Sequence, residues 1–232
     1  MLLVIANHGD GAARQLAAEW KGYPVAVLTP ADFSRKGWSY CLPASSLSYA
    51  VVDGNKVATR EITGVLTRMS CVSPQELGSI VPEDRAYVAA EINAFLAAWL
   101  SSLACPVLNR PTPGCLTGPN WRREQWVGLA ARLGLPVCPV RRNSTHADVA
   151  TPENIATDEV VVIGDQCIGI VPPELCNHAC KLARAAGIDL LAVRFTGPED
   201  GNRFFNASPV PGITSPEVAT AILNYMCGRT PC

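Results

Sequence analysis

The chain of 232 residues reads as an α/β protein: a parallel-sheet lobe with helices on both faces, followed by a small α+β lobe. Three observations predict this. Over residues 1–140, short apolar runs of β character alternate with alanine-rich helical stretches. Residues 141–158 are then polar and aperiodic, which marks a linker between lobes. Beyond it the order changes to hairpin, helix, two strands and a last helix, so the second lobe spans 159–232.

The opening strand covers residues 2–6, and an alanine-rich helix follows over 12–20, closed by Lys21-Gly22. With a buried strand at 24–28 this makes a βαβ opening, the reason to expect parallel pairing. A hairpin is signalled by 48–52, the turn Asp53-Gly54-Asn55-Lys56, and 57–61. Residues 64–68 form the next strand. Residues 82–104 form the strongest helix: Pro82, Glu83 and Asp84 suit the positive end of a helix dipole. Along it Ala89, Ile92, Phe95, Leu96, Trp99 and Leu103 recur at helical spacing and should face the core. A strand at 105–109, a helix at 120–133 and a strand at 135–140 complete the first lobe. In the second, the hairpin 160–163/166–170 precedes a helix at 174–186 and strands at 190–195 and 203–206, and the last helix spans 215–227.

Composition narrows the function. Apolar residues make up 48% and charged residues 17%, enough for packed cores and inconsistent with wholesale disorder. A net charge of −1 without a basic tract gives no electrostatic footprint for nucleic acid. The start is too short and too soon polar for a signal peptide, and the apolar run 94–105 is too short and too polar to span a membrane, so a cytoplasmic protein is expected. Ten cysteines in such a chain read mainly as small core hydrophobes rather than a disulfide framework. Cys176-Asn-His-Ala-Cys180 imitates a metal motif, but on a helix His178 points about 200 degrees away from Cys176, and two thiols leave a zinc tetrahedron incomplete. His8-Gly-Asp-Gly11, between strand and helix, lacks the glycine pattern of a dinucleotide or Walker loop and reads as a tight turn.

One longer constellation is more specific. A strand closes on Arg68; Asp84-Arg85-Ala-Tyr87 and Glu91 follow on the long helix; then come Pro106-Val-Leu-Asn109-Arg-Pro111, Gly118-Pro-Asn-Trp121-Arg-Arg-Glu-Gln125 and residues 130–136. In order and spacing, residues 1–140 resemble the N-terminal part of ATP-grasp ligases of the peptide-modifying and glutamate-ligase type. There a strand ends in arginine, a helix carries an inward Glu, and "N-x-P" precedes a helix leading into "A-x-x-L-G-L-P-V". The second lobe is similar as well. Residues 159–165 look like the hairpin before the metal site, 183–193 like the helix and strand ending in "G-x-D-F", and 204–209 like "F-x-E-x-N-P".

The departures from that pattern concern one function. In the positions that the resemblance gives to the metal-binding Asp, Glu and Asn stand Arg194, Asn206 and Ser208. Mg²⁺ takes oxygen ligands in octahedral geometry, and an arginine cannot ligate a cation. Between the lobes, where the family carries a subdomain that covers the nucleotide, only residues 141–158 are available, without a lysine. A single strand already takes about five or six residues. The expectation is therefore an ATP-grasp-like protein without a working ATP and magnesium site, with no cofactor and no metal. Its role is then a non-catalytic binding or accessory subunit, a homodimer or a heteromer with an intact ATP-grasp enzyme, taking a peptide or small-molecule ligand. The alternative is a carboxylate–amine ligase completed by a partner chain, or other chemistry in the reused cleft. Candidate ligand contacts are Arg68, Glu91, Asn109, Arg122 and Arg123, although Arg68 and Glu91 could equally form a buried ion pair.

Overall fold

The computed structural model describes residues 1–41, 48–140, 157–213 and 215–228. Its contacts group the chain into two compact units, residues 1–120 with 212–232 and residues 121–211.

The first unit is organised by a parallel sheet. β1 (Leu2–Ile5) lies between β2 (Val25–Leu28) and β5 (Gly64–Thr67), with Leu2 opposite both Val25 and Gly64. β6 (Val107–Leu108) extends the sheet beyond β5, giving the order β2-β1-β5-β6. β1 and β5 are buried along their full length, as a parallel sheet covered on both faces requires. α1 (Gly11–Glu19) starts where the Asp10 carboxylate accepts the Ala13 N–H at 3.0 Å. The short α2 (Pro30–Phe33) has no counterpart among the expected elements. One turn carries no hydrophobic periodicity, and the signal lies instead in Thr29-Pro-Ala-Asp32, where Asp32 reaches back to the Thr29 N–H at 2.9 Å.

β3 (Tyr49–Val52) and β4 (Asn55–Ala58) form the expected hairpin. Asp53 and Gly54 both adopt positive φ, 50° and 78°, so the loop has two residues and β4 begins within the stretch assigned to the turn. α3 (Arg85–Ser102) is the long helix. Leu96, Trp99 and Leu100 are completely buried, and Trp38 meets Trp99 and Phe95 edge-on at centroid separations of 5.3 and 5.7 Å. Burying each such side chain contributes about 1.5–3 kcal/mol, so α3 is the main weight on this core.

The second unit is an antiparallel sheet with helices against it. α4 (Arg123–Arg132) precedes β7 (Thr157–Ile163) and β8 (Gln166–Ile168). α5 (Pro173–Ala186) ends at Gly187, whose φ of 67° gives the left-handed cap, and β9 (Leu190–Thr196) and β10 (Phe204–Ser208) follow. The strand order is β10-β9-β7-β8. Trp126 and Ala130 of α4 share one core with Leu175 and Leu182 of α5 and with Phe195 and Phe204 of the sheet. The expected strand 135–140 reduces to one parallel bridge between Val137 and Phe204. Pro136 and Pro139 have no N–H to offer a ladder, so only the Pro136 carbonyl and the Cys138 N–H bond to Phe204, at 2.7 and 2.9 Å.

The last helix, α6 (Pro216–Met226), belongs to the first unit. The Trp20 indole donates to the Ala219 carbonyl at 3.1 Å, and Met226 packs where a Cβ on Gly64 would sit, 2.7 Å from its own Cβ. Contacts thus place α4 with the second sheet and α6 with the first, a division that differs from the break expected at 141–158. Of that stretch, residues 141–156 lie outside the described residues, and Thr157 and Asp158 already belong to β7.

Candidate ligand-binding site

In the first unit the candidate residues gather at the carboxyl end of the parallel sheet, the edge at which open α/β sheets present ligands. Arg68 follows β5 directly, and its Nε donates to Asp10 Oδ2 at 2.8 Å while its side chain is only 8% exposed. Asp10 thereby ties the start of α1 to the end of β5. Burial pushes the Asp10 carboxyl up. The hydrogen bonds from Arg68 and from the Ala13 backbone, with the Arg68 charge, outweigh that and hold it below the usual carboxylate range. The carboxylate also fills the helix N-terminus that an anion would otherwise occupy, so the His8-Gly-Asp-Gly11 loop is a capped turn. The His8 carbonyl accepts from Arg14 at 2.7 Å, which fastens the loop further.

Asn109 follows β6 at the same edge and is 1% exposed. Its Nδ2 donates to the Thr117 carbonyl at 3.3 Å, and Thr117 in turn contacts the buried Cys115 thiol at 3.2 Å. Thr67, the last residue of β5, is also buried, and its hydroxyl lacks a hydrogen-bond partner among the described residues. Glu91 is not part of this group. It lies exposed on α3, and the Arg68 guanidinium pairs with Asp10. Ile92 takes the inward place at that level of the helix, which is why Glu91 points outward.

Arg122 and Arg123 belong to the second unit. The Arg122 N–H donates to the Gln125 side chain at 3.0 Å, so this residue opens α4. The Arg123 Nε donates to the Phe205 carbonyl at 3.0 Å, and its guanidinium lies 4.2 Å from the Phe205 ring centroid. Both interactions hold α4 on β10, a role not expected for Arg123 from its place in the sequence. Phe204-Phe205 at the start of a strand was the available clue, since arginine stacks readily on an aromatic face.

The three altered positions are adjacent in the sheet. Arg194 on β9 stands opposite Glu159 of β7 on one side and Asn206 of β10 on the other. Its Nε pairs with Glu159 Oε2 at 2.8 Å. The Ser208 hydroxyl donates to the Val210 carbonyl and accepts the Val210 N–H, both at 3.2 Å. A cation, a neutral amide and a hydroxyl engaged with the backbone do not make the donor set of a hard divalent ion. In the Cys176–Cys180 segment, His178 stands 4.0 Å from Glu174. No group of three or more His, Cys, Asp or Glu side chains among the described residues is placed to hold a metal ion.

Among the described residues no helix is long and apolar enough to cross a membrane. No protein-family model and no curated protein sequence matches the chain. Solved structures do match it over nearly its whole length. The macrocyclase MdnC from Microcystis aeruginosa MRC, bound with precursor peptide MdnA, superposes with a TM-score of 0.73 at 12% identity, covering 98% of this chain and 99% of MdnC. A RiPP-associated ATP-grasp ligase from Chryseobacterium gregarium, in complex with ADP and a leader and core peptide, gives 0.69 at 11% identity, covering 99% and 97%. The ATP-grasp ligase PsnB, complexed with a minimal precursor, gives 0.68 at 14% identity, covering 97% and 98%. The chain has an ATP-grasp-like fold, as residues 64–136 and 159–209 imply.

Proposed function

We propose that this protein is a non-catalytic member of the ATP-grasp architecture, a peptide-binding accessory subunit for a ligase or biosynthetic pathway. The observation that carries the reading is the Arg194–Glu159 pair at 2.8 Å, on the strands that the resemblance assigns to magnesium and phosphate. An arginine there supplies a positive charge where bound Mg²⁺ would need a carboxylate, and it engages the neighbouring carboxylate as well. Asn206 and Ser208 change the same site in the same direction. Peptide is the favoured ligand because all three similar structures were obtained with precursor or leader peptides. The partner is a second copy or an intact ATP-grasp enzyme, which would supply the chemistry.

The test has two arms. A ligand that binds the folded state raises the melting temperature by mass action. Mg·ATP and Mg·ADP at millimolar concentration should leave the melting curve of the purified protein unchanged, and a clear rise would sink the non-catalytic reading. Selection of a displayed random-peptide library on the immobilised protein should enrich one sequence motif. Its failure to converge would remove peptide as the ligand class.

A further inference from the structure

Helix α3 has the composition of a helix covered on both sides, yet one side is open. Of its 18 residues only Arg85 and Glu91 are charged, and Arg85 turns back to the Ile80 carbonyl, its Nε donating at 2.8 Å. Ala89, Ile92, Leu96, Trp99 and Leu100 are buried in the core. The opposite face, formed by Tyr87, Ala90, Glu91, Ala94, Ala98 and Ser101, is exposed and carries one charge. A surface helix ordinarily sets charged residues there, whereas a helix apolar all round is a buried one. Tyr87, and Val81 just before the helix, are 69% and 57% exposed, two of the three large apolar side chains that lie open among the described residues.

The charges at the two ends of the helix select what covers it. Glu83 and Asp84 lie exposed at its start. Neither they nor Glu91 form an ion pair among the described residues, and Asp84 makes no side-chain capping bond. At the other end the exposed Arg110 donates to the carbonyls of Leu100, Ser101, Leu103 and Cys105 at 3.1 to 3.3 Å, and it meets no carboxylate among the described residues. The surface is therefore negative at one end, apolar along its length and positive at the other. Such a pattern is complementary to itself turned end for end, which is what a two-fold interface between identical subunits requires.

We propose that the outer face of α3 is the contact between two copies of this chain, packed antiparallel about a two-fold axis at Ala94. Of the partners proposed above this takes the second copy, and it rests on that part of the reading alone. With the axis at Ala94, Ala90 lies against Ala98 and Tyr87 against Ser101, while Glu91 faces Ala97 rather than its own copy. Helix side chains lean toward the N-terminus, so Tyr87 leans toward Glu83 and Asp84. These three receive the guanidinium of Arg110 of the partner subunit, through opposite charge and through the ring face. The helix is about 27 Å long and about 10 Å across, a footprint of roughly 270 Å². That is about a third of the 800 Å² per partner of a standard interface. Val81 enlarges it, but the contact stays small, so the dimer is a weak one with a dissociation constant of about 10–100 μM.

Sedimentation velocity on the full-length protein, with reductant present so that no disulfide contributes, should show a monomer at about 2 μM and mostly dimer at about 500 μM. Ala94→Glu brings two carboxylates together at the axis and should weaken association roughly a hundredfold. Ala185→Glu, at an exposed alanine of α5, should leave it unchanged. Glu83→Lys combined with Asp84→Lys sets like charges against Arg110 of the partner subunit and should weaken it about three- to tenfold. All four positions are exposed, and a melting curve like the parent's shows that each variant is folded. A parent that stays monomeric at the highest concentration would overturn the proposal and leave the face to a different chain. So would an Ala94→Glu variant that dimerises like the parent, and a dimer indifferent to the lysine pair would overturn the antiparallel arrangement. The concentration series on the parent decides even where a variant fails to fold. Sedimentation involves neither nucleotide nor peptide, so its failure leaves the non-catalytic, peptide-binding reading standing.

Discussion

Asp10 answers two demands with one carboxylate, and the two can be taken apart. Oδ1 caps α1 through the Ala13 N–H at 3.0 Å, and Oδ2 holds the Arg68 Nε at 2.8 Å. Asp10→Asn keeps a good capping side chain and loses the charge, whereas Asp10→Ala loses both. The cap is worth about 1 kcal/mol, and a hydrogen bond to a charged group about 1.5–3 kcal/mol. Chemical denaturation at pH 7 should therefore place Asp10→Ala about 2–4 kcal/mol below the parent, with Asp10→Asn between them. The pH dependence has a definite sign. A carboxyl whose folded value lies below its unfolded one contributes stability that is fully present above the unfolded value, about 3.9, and disappears as pH falls through the folded one. The gap between parent and Asp10→Asn should hold from pH 7 to about 5 and narrow below 4; a gap constant down to pH 2 would mean that the charge of Asp10 does nothing.

At the scale of elements, strands and helices with strong periodicity were legible, and short or tertiary features were not. The spacing of Ile92, Leu96 and Trp99 revealed the inward face of α3 without the structure. The single turn of α2 and the lone bridge at Val137 carry too few residues for a period to show. Glu91 illustrates the same limit at the site: a motif places a residue on a helix, but exposure depends on the one-residue phase that Ile92 takes. Helix α6 was predicted as an element, yet its seat against β5 depends on one glycine contacted from 162 residues away. A Cβ on Gly64 would stand 2.7 Å from Met226 Cβ and 3.1 Å from both the Met226 carbonyl oxygen and Leu2. Gly64→Ala should thus cost about 1–3 kcal/mol by overpacking, read as a lower urea midpoint with an unchanged slope. Arg123→Ala removes the hydrogen bond and the cation–π contact to Phe205 together, for about 1–2.5 kcal/mol. Arg123→Lys should recover only part, because an ammonium cannot reproduce the planar stack.

For the whole molecule the question is whether a fold can outlast the chemistry usually built on it. The match to ATP-grasp structures at 11–14% identity shows that backbone architecture persists through near-complete replacement of side chains. Packing requires apolar residues of suitable volume, which many sequences provide, while a metal site requires particular oxygen donors at particular places. Arg194 and Glu159 face one another across adjacent strands and pair at 2.8 Å, so each charge has a partner within the sheet. Replacing Arg194 by Asp reverses that balance by setting two carboxylates opposite each other, which is destabilising. With Asn206→Glu added, the same strands carry a cluster of oxygen donors and an excess of negative charge. In the presence of a chelator this double variant should melt several degrees below the parent, since 1 kcal/mol corresponds to about 2–4 °C at this size. If the strands retain the geometry of a divalent-cation site, Mg²⁺ at ten times its Kd should return about 1.4 kcal/mol to the variant and nothing to the parent. We expect that recovery, measured as a magnesium-dependent rise in melting temperature confined to the variant. Equal shifts in both proteins would mean that the scaffold, and not the ligand set alone, has departed from the ATP-grasp site.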